Sequence, residues 1–186
     1  NITGMLKTEK RRQNTKTKNI MKRILITGCS SGFGYETTKY LAEKGHTVYA
    51  TMRNLNGKNE KPAAELRGFA KENNLSITVL EMDVTSDKSV KTAADQISQV
   101  DVLINNAGLG YGGPIESFTS SEVLAQLDLN IVGTIRTAKA ILPKMRAQKA
   151  GLIIQVSSGA GRASFPGFGV YHASKWGLEG LSESMR

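Results

Sequence analysis

The chain has 186 residues, a length that suits one domain. Hydrophobic residues make up 39% and charged residues 22%, values that exclude a collagen-like, disulfide-stapled or wholly disordered chain. Residues 1–23 hold eight lysines and arginines against one glutamate, so +7 of the net charge of +9 sits there; the remainder is too weakly basic to suggest a nucleic-acid partner.

Residues 1–20 form a polar leader without helical or strand period, expected to be disordered, ahead of a folded domain over 21–186. The leader lacks the apolar core of a secretory signal. Cys29 is the only cysteine, which rules out an intrachain disulfide and points to a reducing, cytoplasmic setting. No apolar run reaches 18 residues, so no transmembrane helix is expected, and no Cys/His cluster has metal-ligand spacing, so no metal is expected either.

From Met21 onward, strand-like and helix-like segments alternate. A buried strand over 22–27 leads into a helix over about 32–44, ended by Gly45. β-branched and aromatic residues mark a second strand over 47–51. After a loop over 54–61, Pro62 fits the first turn of a helix running to about Asn73. A third strand is expected over 76–81, then a helix capped by Ser86 and running through about Ile97. A fourth strand spans Asp101–Ile104. Ser120 or Ser121 is expected to cap a long helix through Ile135 towards Ala147, with a kink or break at Pro143. A fifth strand over Leu152–Val156 and a helix from Gly169 to the end complete the series. This alternation predicts an α/β fold, a doubly wound parallel sheet in three α/β/α layers of Rossmann type.

Two motifs carry chemistry. The turn Thr27-Gly28-Cys29-Ser30-Ser31-Gly32-Phe33-Gly34 joins the first strand to the first helix. Backbone N–H groups and a positive dipole end meet there, where a pyrophosphate can sit. Glycine and serine clusters also mark ordinary turns. The second motif is Tyr171-His172-Ala173-Ser174-Lys175. On a helix, Tyr171 and Lys175 lie one turn apart on one face, and an ammonium there favours the phenolate. A tyrosine so placed is a candidate general acid or base, although the same spacing suits a solvated helix face. His172 points about 100° away and is read as a surface residue, and His46 as a turn residue.

Together the two motifs resemble the short-chain dehydrogenase/reductase family. Asp83-Val84, Asn105-Asn106-Ala107-Gly108, Asn130 and Ser157-Ser158 match it in order, with Ser158 standing 13 residues before Tyr171. The pattern is most similar to the 17β-hydroxysteroid and retinol dehydrogenase members. The resemblance implies an oxidoreductase that moves hydride between a nicotinamide cofactor and a carbonyl or alcohol. It implies cofactor contacts at Gly28, Ser30, Ser31, Gly32, Phe33 and Gly34, at Asp83 and Val84 around the adenine, and at Asn106, Ala107 and Gly108. It further implies Tyr171 as proton donor, Lys175 on the nicotinamide ribose, Ser158 on the substrate oxygen, and Asn130 holding a water. Ser158 equally fits a turn cap, and Asn130 a helix residue bonding its own backbone. An acidic residue at position 52 would select NAD; here Met52 is followed by Arg53, which suits the 2′-phosphate of NADP.

The substrate side offers Leu109, Tyr111, Phe165 and Phe168, which would suit an apolar carbonyl compound or would serve as core. The family pairs through the helices bearing Asn130 and Tyr171. A homodimer or homotetramer is therefore implied, with Ala173, Gly177, Leu178 and Leu181 available for packing. Two departures from the family stand out. About four residues are absent between Gln99 and Val100-Asp101. The family also continues beyond the Tyr171 helix with further strands and a substrate-covering segment, so the chain is expected to be a C-terminally truncated fragment.

Overall fold

The computed structural model of the chain describes residues 20–185; the leader expectation concerns residues almost wholly outside them. Strands β1 (Arg23–Thr27), β2 (Thr47–Met52), β3 (Ile77–Glu81), β4 (Val102–Asn105) and β5 (Leu152–Gln155) form one sheet in the order β3-β2-β1-β4-β5. Every pairing is parallel. The intervening helices are α1 (Gly32–Glu43), α2 (Glu60–Glu72), α3 (Asp87–Asp95), α4 (Ser120–Leu127), α5 (Gly133–Gln148) and α6 (Gly169–Ser184). The doubly wound parallel sheet expected from the alternating pattern is therefore present.

Side-chain alternation along β1 divides the core. Ile24 and Ile26 join Val48, Ala50, Ala42, Ala63 and Leu66, on the side of α1 and α2. Leu25 faces the opposite way and packs with Leu103, Val90, Ala93, Ile97, Ile141 and Met145, on the side of α3 and α5. A strand covered on both faces is apolar throughout, which explains the unbroken Ile-Leu-Ile run. Complete burial of a side chain such as Leu25 stabilises the fold by about 1.5–3 kcal/mol.

The connection before β4 is compact. Helix α3 stops at Asp95 and β4 starts at Val102, while Ile97 and Val100 in between are fully buried. Asp101 anchors the junction. Its carboxylate accepts hydrogen bonds from the Arg23 backbone N–H (2.8 Å), Nε (2.9 Å) and Nη2 (2.7 Å). The adjacent guanidinium holds the Asp101 carboxyl below the usual carboxylate range. Gln148 adds a bond from its side-chain amide to the Val100 carbonyl (3.0 Å).

Two expectations about the helices need correction, and a third gains a detail. The cap of α4 is Thr119, not Ser120 or Ser121. Its hydroxyl accepts from the Glu122 N–H, and the Glu122 carboxylate accepts from the Thr119 N–H, a reciprocal pair that satisfies two otherwise orphaned donors. The long helix runs unbroken from Ser120 to Gln148, but a π-helical turn over Asp128–Val132 joins α4 to α5 within it. Pro143 does not break α5, which runs through it to Gln148. Pro143 and Lys139, one turn earlier, are both exposed, so the carbonyl that loses its partner can bond to water.

Among the described residues β5 pairs only with β4, leaving Leu152 and Ile154 54% and 41% exposed on the edge strand. Leu178 is buried in the core and so is not available to a second subunit, unlike the exposed Ala173, Trp176 and Gly177. No helix among the described residues is long and apolar enough to cross a membrane.

Candidate active site

The C-terminal ends of β1, β2, β4 and β5 open onto one groove of about 610 Å³. It runs from the glycine turn, past Met52, Arg53, Asp83 and Val84, to Ser158, Tyr171 and Lys175. In a parallel sheet all strand ends carrying loops of one kind lie on one side, so residues distant in sequence meet there.

The glycine turn is shaped by close approach. Gly28 has φ +73°, and a Cβ there would lie 2.8 Å from the Ala107 Cα. A Cβ on Gly34 would collide with the Gly28 carbonyl and the Asn106 amide. Helix α1 begins after Ser31 with no side-chain cap, so the N–H groups of its first turn have no partner supplied by a capping side chain. Gly28, Ser30, Ser31, Gly32 and Phe33 all line the groove; Gly34 lies behind them, buried. A backbone cradle without side chains, opening onto a helix N-terminus, fits a pyrophosphate. Phe33 is 83% exposed, so its contribution there is main-chain N–H.

Asn106 braces this turn. Its Nδ2 donates to the Thr27 carbonyl (2.9 Å) and the Gly28 carbonyl (3.1 Å). Thr27 Oγ1 in turn accepts from the N–H groups of Asn106 (3.0 Å) and Ala107 (2.9 Å). The Asn106 side chain therefore shapes the site from behind, while Ala107 and Gly108 border it. Asp83 is likewise partly committed: its Oδ1 accepts from the Thr85 N–H (2.9 Å) and hydroxyl (2.7 Å).

At the corner beside β2, Met52 is buried and Arg53 is exposed, both on the groove. Asn59, read from sequence as part of a plain loop, is buried there and donates from its amide to the Arg53 carbonyl, fixing the backbone beneath the guanidinium. Its position just before α2 was the only sequence signal that marked it.

The chemical end lies between β5 and α6. Lys175 is buried, and its Nζ donates to the Val156 carbonyl (3.0 Å) while lying 5.8 Å from the Tyr171 ring centroid. Burial pushes the Lys175 ammonium down from the ordinary lysine range, and the Glu179 carboxylate one turn on opposes that shift. Ser158 Oγ accepts from the Ala160 N–H (3.1 Å), capping a 3₁₀ turn over Gly159–Gly161, so the turn-cap reading of this serine is correct. The hydroxyl hydrogen remains for donation, since a serine can accept and donate at once. Ser158, Tyr171 and Lys175 thus border one end of the groove together.

Asn130 lies inside the π-turn, 2% exposed. Its Oδ1 accepts from the Leu109 N–H (3.0 Å), and its Nδ2 donates to the Leu109 carbonyl (2.8 Å) and Ser174 Oγ (2.9 Å). The side chain is engaged with the loop after β4 and with α6, so it positions Leu109 and the Tyr171 helix. Gln126, missed from sequence, does similar work: it is buried, and its Oε1 accepts from the Tyr111 N–H (2.7 Å). Of the four apolar candidates, Leu109 lines the groove, whereas Tyr111, Phe165 and Phe168 stand exposed outside its lining.

His172 is not a surface residue. It is 5% exposed, with Nδ1 2.9 Å from the Ala160 carbonyl and Nε2 accepting from the Phe165 N–H at 3.1 Å. The face of α6 that turns away from Tyr171 is covered by the chain following β5, which helical angle alone does not reveal.

A family model described as short chain dehydrogenase matches residues 22–186. A 3-ketodihydrosphingosine reductase of Bacteroides thetaiotaomicron is 43% identical over 166 residues, covering 87% of this chain and 56% of that protein. The 17-beta-hydroxysteroid dehydrogenase type 1 of Homo sapiens is 40% identical over 167 residues, covering 87% of this chain and 50% of its own length. The chain therefore spans about half the length of the curated relatives it matches. The crystal structure of a gluconate 5-dehydrogenase from Burkholderia cenocepacia in complex with NADP and tartrate aligns with a TM-score of 0.80 at 28% identity, over 88% of this chain and 64% of that one. Further solved structures of similar fold carry an NADP derivative or NAD. With the family model matched over residues 22–186, on a parallel sheet whose strand ends gather the glycine turn and the Tyr171 helix, the chain belongs to the short-chain dehydrogenase/reductase family of oxidoreductases.

Proposed function

We propose that the protein interconverts a carbonyl and an alcohol using NADP in preference to NAD, with Tyr171 as general acid and base. The observation that carries this reading is the convergence of Ser158, Tyr171 and Lys175 on the same groove that holds the glycine cradle at its other end. When bound, the nicotinamide would supply or accept the hydride. The chain's own residues then have separable tasks.

The cradle from Gly28 to Gly34 would hold the pyrophosphate through main-chain N–H groups, and Asp83 and Val84 would border the adenine. Arg53 and Ser31 would take the 2′-phosphate. No carboxylate stands at the Met52 position to repel it, and a guanidinium offers paired, charge-assisted hydrogen bonds. Lys175 would hold the nicotinamide ribose and keep a positive charge beside Tyr171. Ser158 would donate to the substrate oxygen, fixing it and stabilising negative charge that develops on it during reduction. Tyr171 would give that oxygen its proton, or remove it in the reverse direction. Asn130 is retained as a member of the site in a positioning role, since its side chain is bonded to Leu109 and Ser174.

The rim supports an apolar substrate class. Leu109 on the groove and the exposed Tyr111, Phe165 and Phe168 suit an apolar carbonyl compound. Exposed Leu124, Val132 and Trp176, on α4, the π-turn and α6, suit pairing of two subunits across those helices. The test is a panel of apolar and polar ketones and aldehydes with the full-length protein, following NADPH oxidation. Turnover of apolar members with NADPH at the lowest KM supports the reading. No turnover of any member by a protein that binds NADPH would overturn it.

A further inference from the structure

His172 has a specific hydrogen-bonding state. Phe165 N–H is a donor, so Nε2 must accept and carry no hydrogen. The hydrogen therefore sits on Nδ1, which donates to the Ala160 carbonyl. One neutral imidazole thus bonds two points of the segment after β5 to helix α6. The first, Ala160, lies in the turn that Ser158 caps. The second, Phe165, belongs to the loop bordering the substrate side.

Independent contacts connect the same two pieces to the rest of the site. The Phe165 ring meets the His172 ring edge-on at 4.5 Å and the Phe168 ring at 5.3 Å. Gly113 N–H donates to the Gly167 carbonyl (2.7 Å), joining this loop to the one after β4. On the other side, Arg162 pairs with Glu179 of α6 at 2.8 Å. Gly161 packs so closely on α6 that a Cβ would lie 3.0 Å from the Lys175 carbonyl.

We propose that His172 is a positioning residue that holds the Ser158 turn and the Phe165–Phe168 loop against the Tyr171 helix as one unit. Ser158 and Tyr171 sit on different elements, β5's exit and α6, and both must reach one substrate oxygen. A residue spanning that seam sets their separation, and through Phe165 it also sets the apolar lip. The kinetic arm of this inference rests on the proposed function; the exchange arm does not.

The test compares the full-length parent with His172→Phe, which keeps a ring against Phe165 but removes both hydrogen bonds. His172→Gln, which can still accept from Phe165 N–H, is the conservative partner. Amide hydrogen exchange should rise about tenfold at Phe165 and across 160–168 in His172→Phe, and His172→Gln should recover most of the protection. The kcat/KM for an apolar carbonyl substrate should fall about tenfold or more in His172→Phe while the NADPH Kd stays within about twofold, because the bonds lie on the substrate side of the groove. Unchanged exchange at Phe165 would overturn the clamp, whatever the kinetics. Raised exchange with unchanged kcat/KM in an active parent would overturn the positioning role. A parent without turnover would count against the proposed function, and exchange would still decide the clamp. Should His172→Phe fail to fold, the ring ¹⁵N shifts of the parent decide: the Nδ1–H tautomer is expected, and an Nε2–H tautomer would overturn the inference.

Discussion

Replacement of Asn130 by alanine should cost stability well beyond the loss of a polar side chain. Asn130 is 2% exposed and bonds to both the N–H and the carbonyl of Leu109, and to Ser174 Oγ. Alanine reaches none of them. Two part-buried backbone groups at Leu109 lose their partners, each costing about 1–3 kcal/mol, or about 2–6 kcal/mol together. For a domain of this size, about 1 kcal/mol moves Tm by roughly 2–4 °C, so a fall of about 4–24 °C is expected. The assay is thermal unfolding followed by far-ultraviolet circular dichroism, with hydrogen exchange at Leu109 as a local probe. Exchange should rise at Leu109 first, because that residue loses both of its bonds to the Asn130 side chain. A Tm within about 2 °C of the parent would refute the reasoning.

Other consequences are equally direct. Arg53→Ala should erase a preference for NADPH over NADH of about tenfold, as loss of one charged hydrogen-bonding partner implies, measured as the ratio of the two dissociation constants; a parent with equal constants would count against the NADP reading. Asp101→Asn should cost about 1–2 kcal/mol at neutral pH, a range lowered for partial exposure of the pair. Because the folded Asp101 pKa is depressed, that stability is present above the unfolded carboxylate range and is lost as pH falls through the folded value, so denaturant curves of parent and variant should converge in acid. Lys175 has the same sign in a more alkaline window: its folded pKa is lowered by burial, the unfolded state binds more protons between the two values, and stability rises with pH across that window. Glu179→Gln removes the group that opposes this lowering, so the Lys175 ammonium should titrate at lower pH by NMR; an upward shift would contradict the assignment.

Much of the architecture was legible because it rests on short-range physics. A strand covered on both faces must be continuously apolar, and Ile24-Leu25-Ile26 and Leu103-Ile104 say so. Gly28 and Gly34 were legible because only a missing side chain permits the approach to Ala107 and Asn106. Ser86 is the cap it was read to be, accepting from the Ser89 N–H. The Thr119 cap was legible too, since Thr119-Ser120-Ser121-Glu122 spells the reciprocal capping pattern; the neighbouring serines obscured it. The π-turn at Asp128–Val132 was not legible, because one extra residue in a helical turn leaves no distinct apolar period. His172 and Gln126 were missed for a common reason. Each is bonded by the irregular segment that precedes its own helix, 7 to 15 residues earlier in the chain, and helical spacing predicts a face without predicting what covers it. The substrate side shares that difficulty: Tyr111, Phe165 and Phe168 lie on loops, where neither period nor propensity fixes their direction.

The central claim is that Tyr171 transfers the proton to the substrate oxygen. Tyr171→Phe removes one hydroxyl and leaves the ring against Gly110, where it already limits the space. The decisive measurement is turnover of the full-length parent and of Tyr171→Phe on one accepted carbonyl substrate, with the NADPH dissociation constant determined for both. The account predicts a fall in kcat of roughly 10²–10⁴ with NADPH affinity nearly unchanged. A variant that keeps more than about a tenth of parental kcat would contradict it and assign the proton to another group.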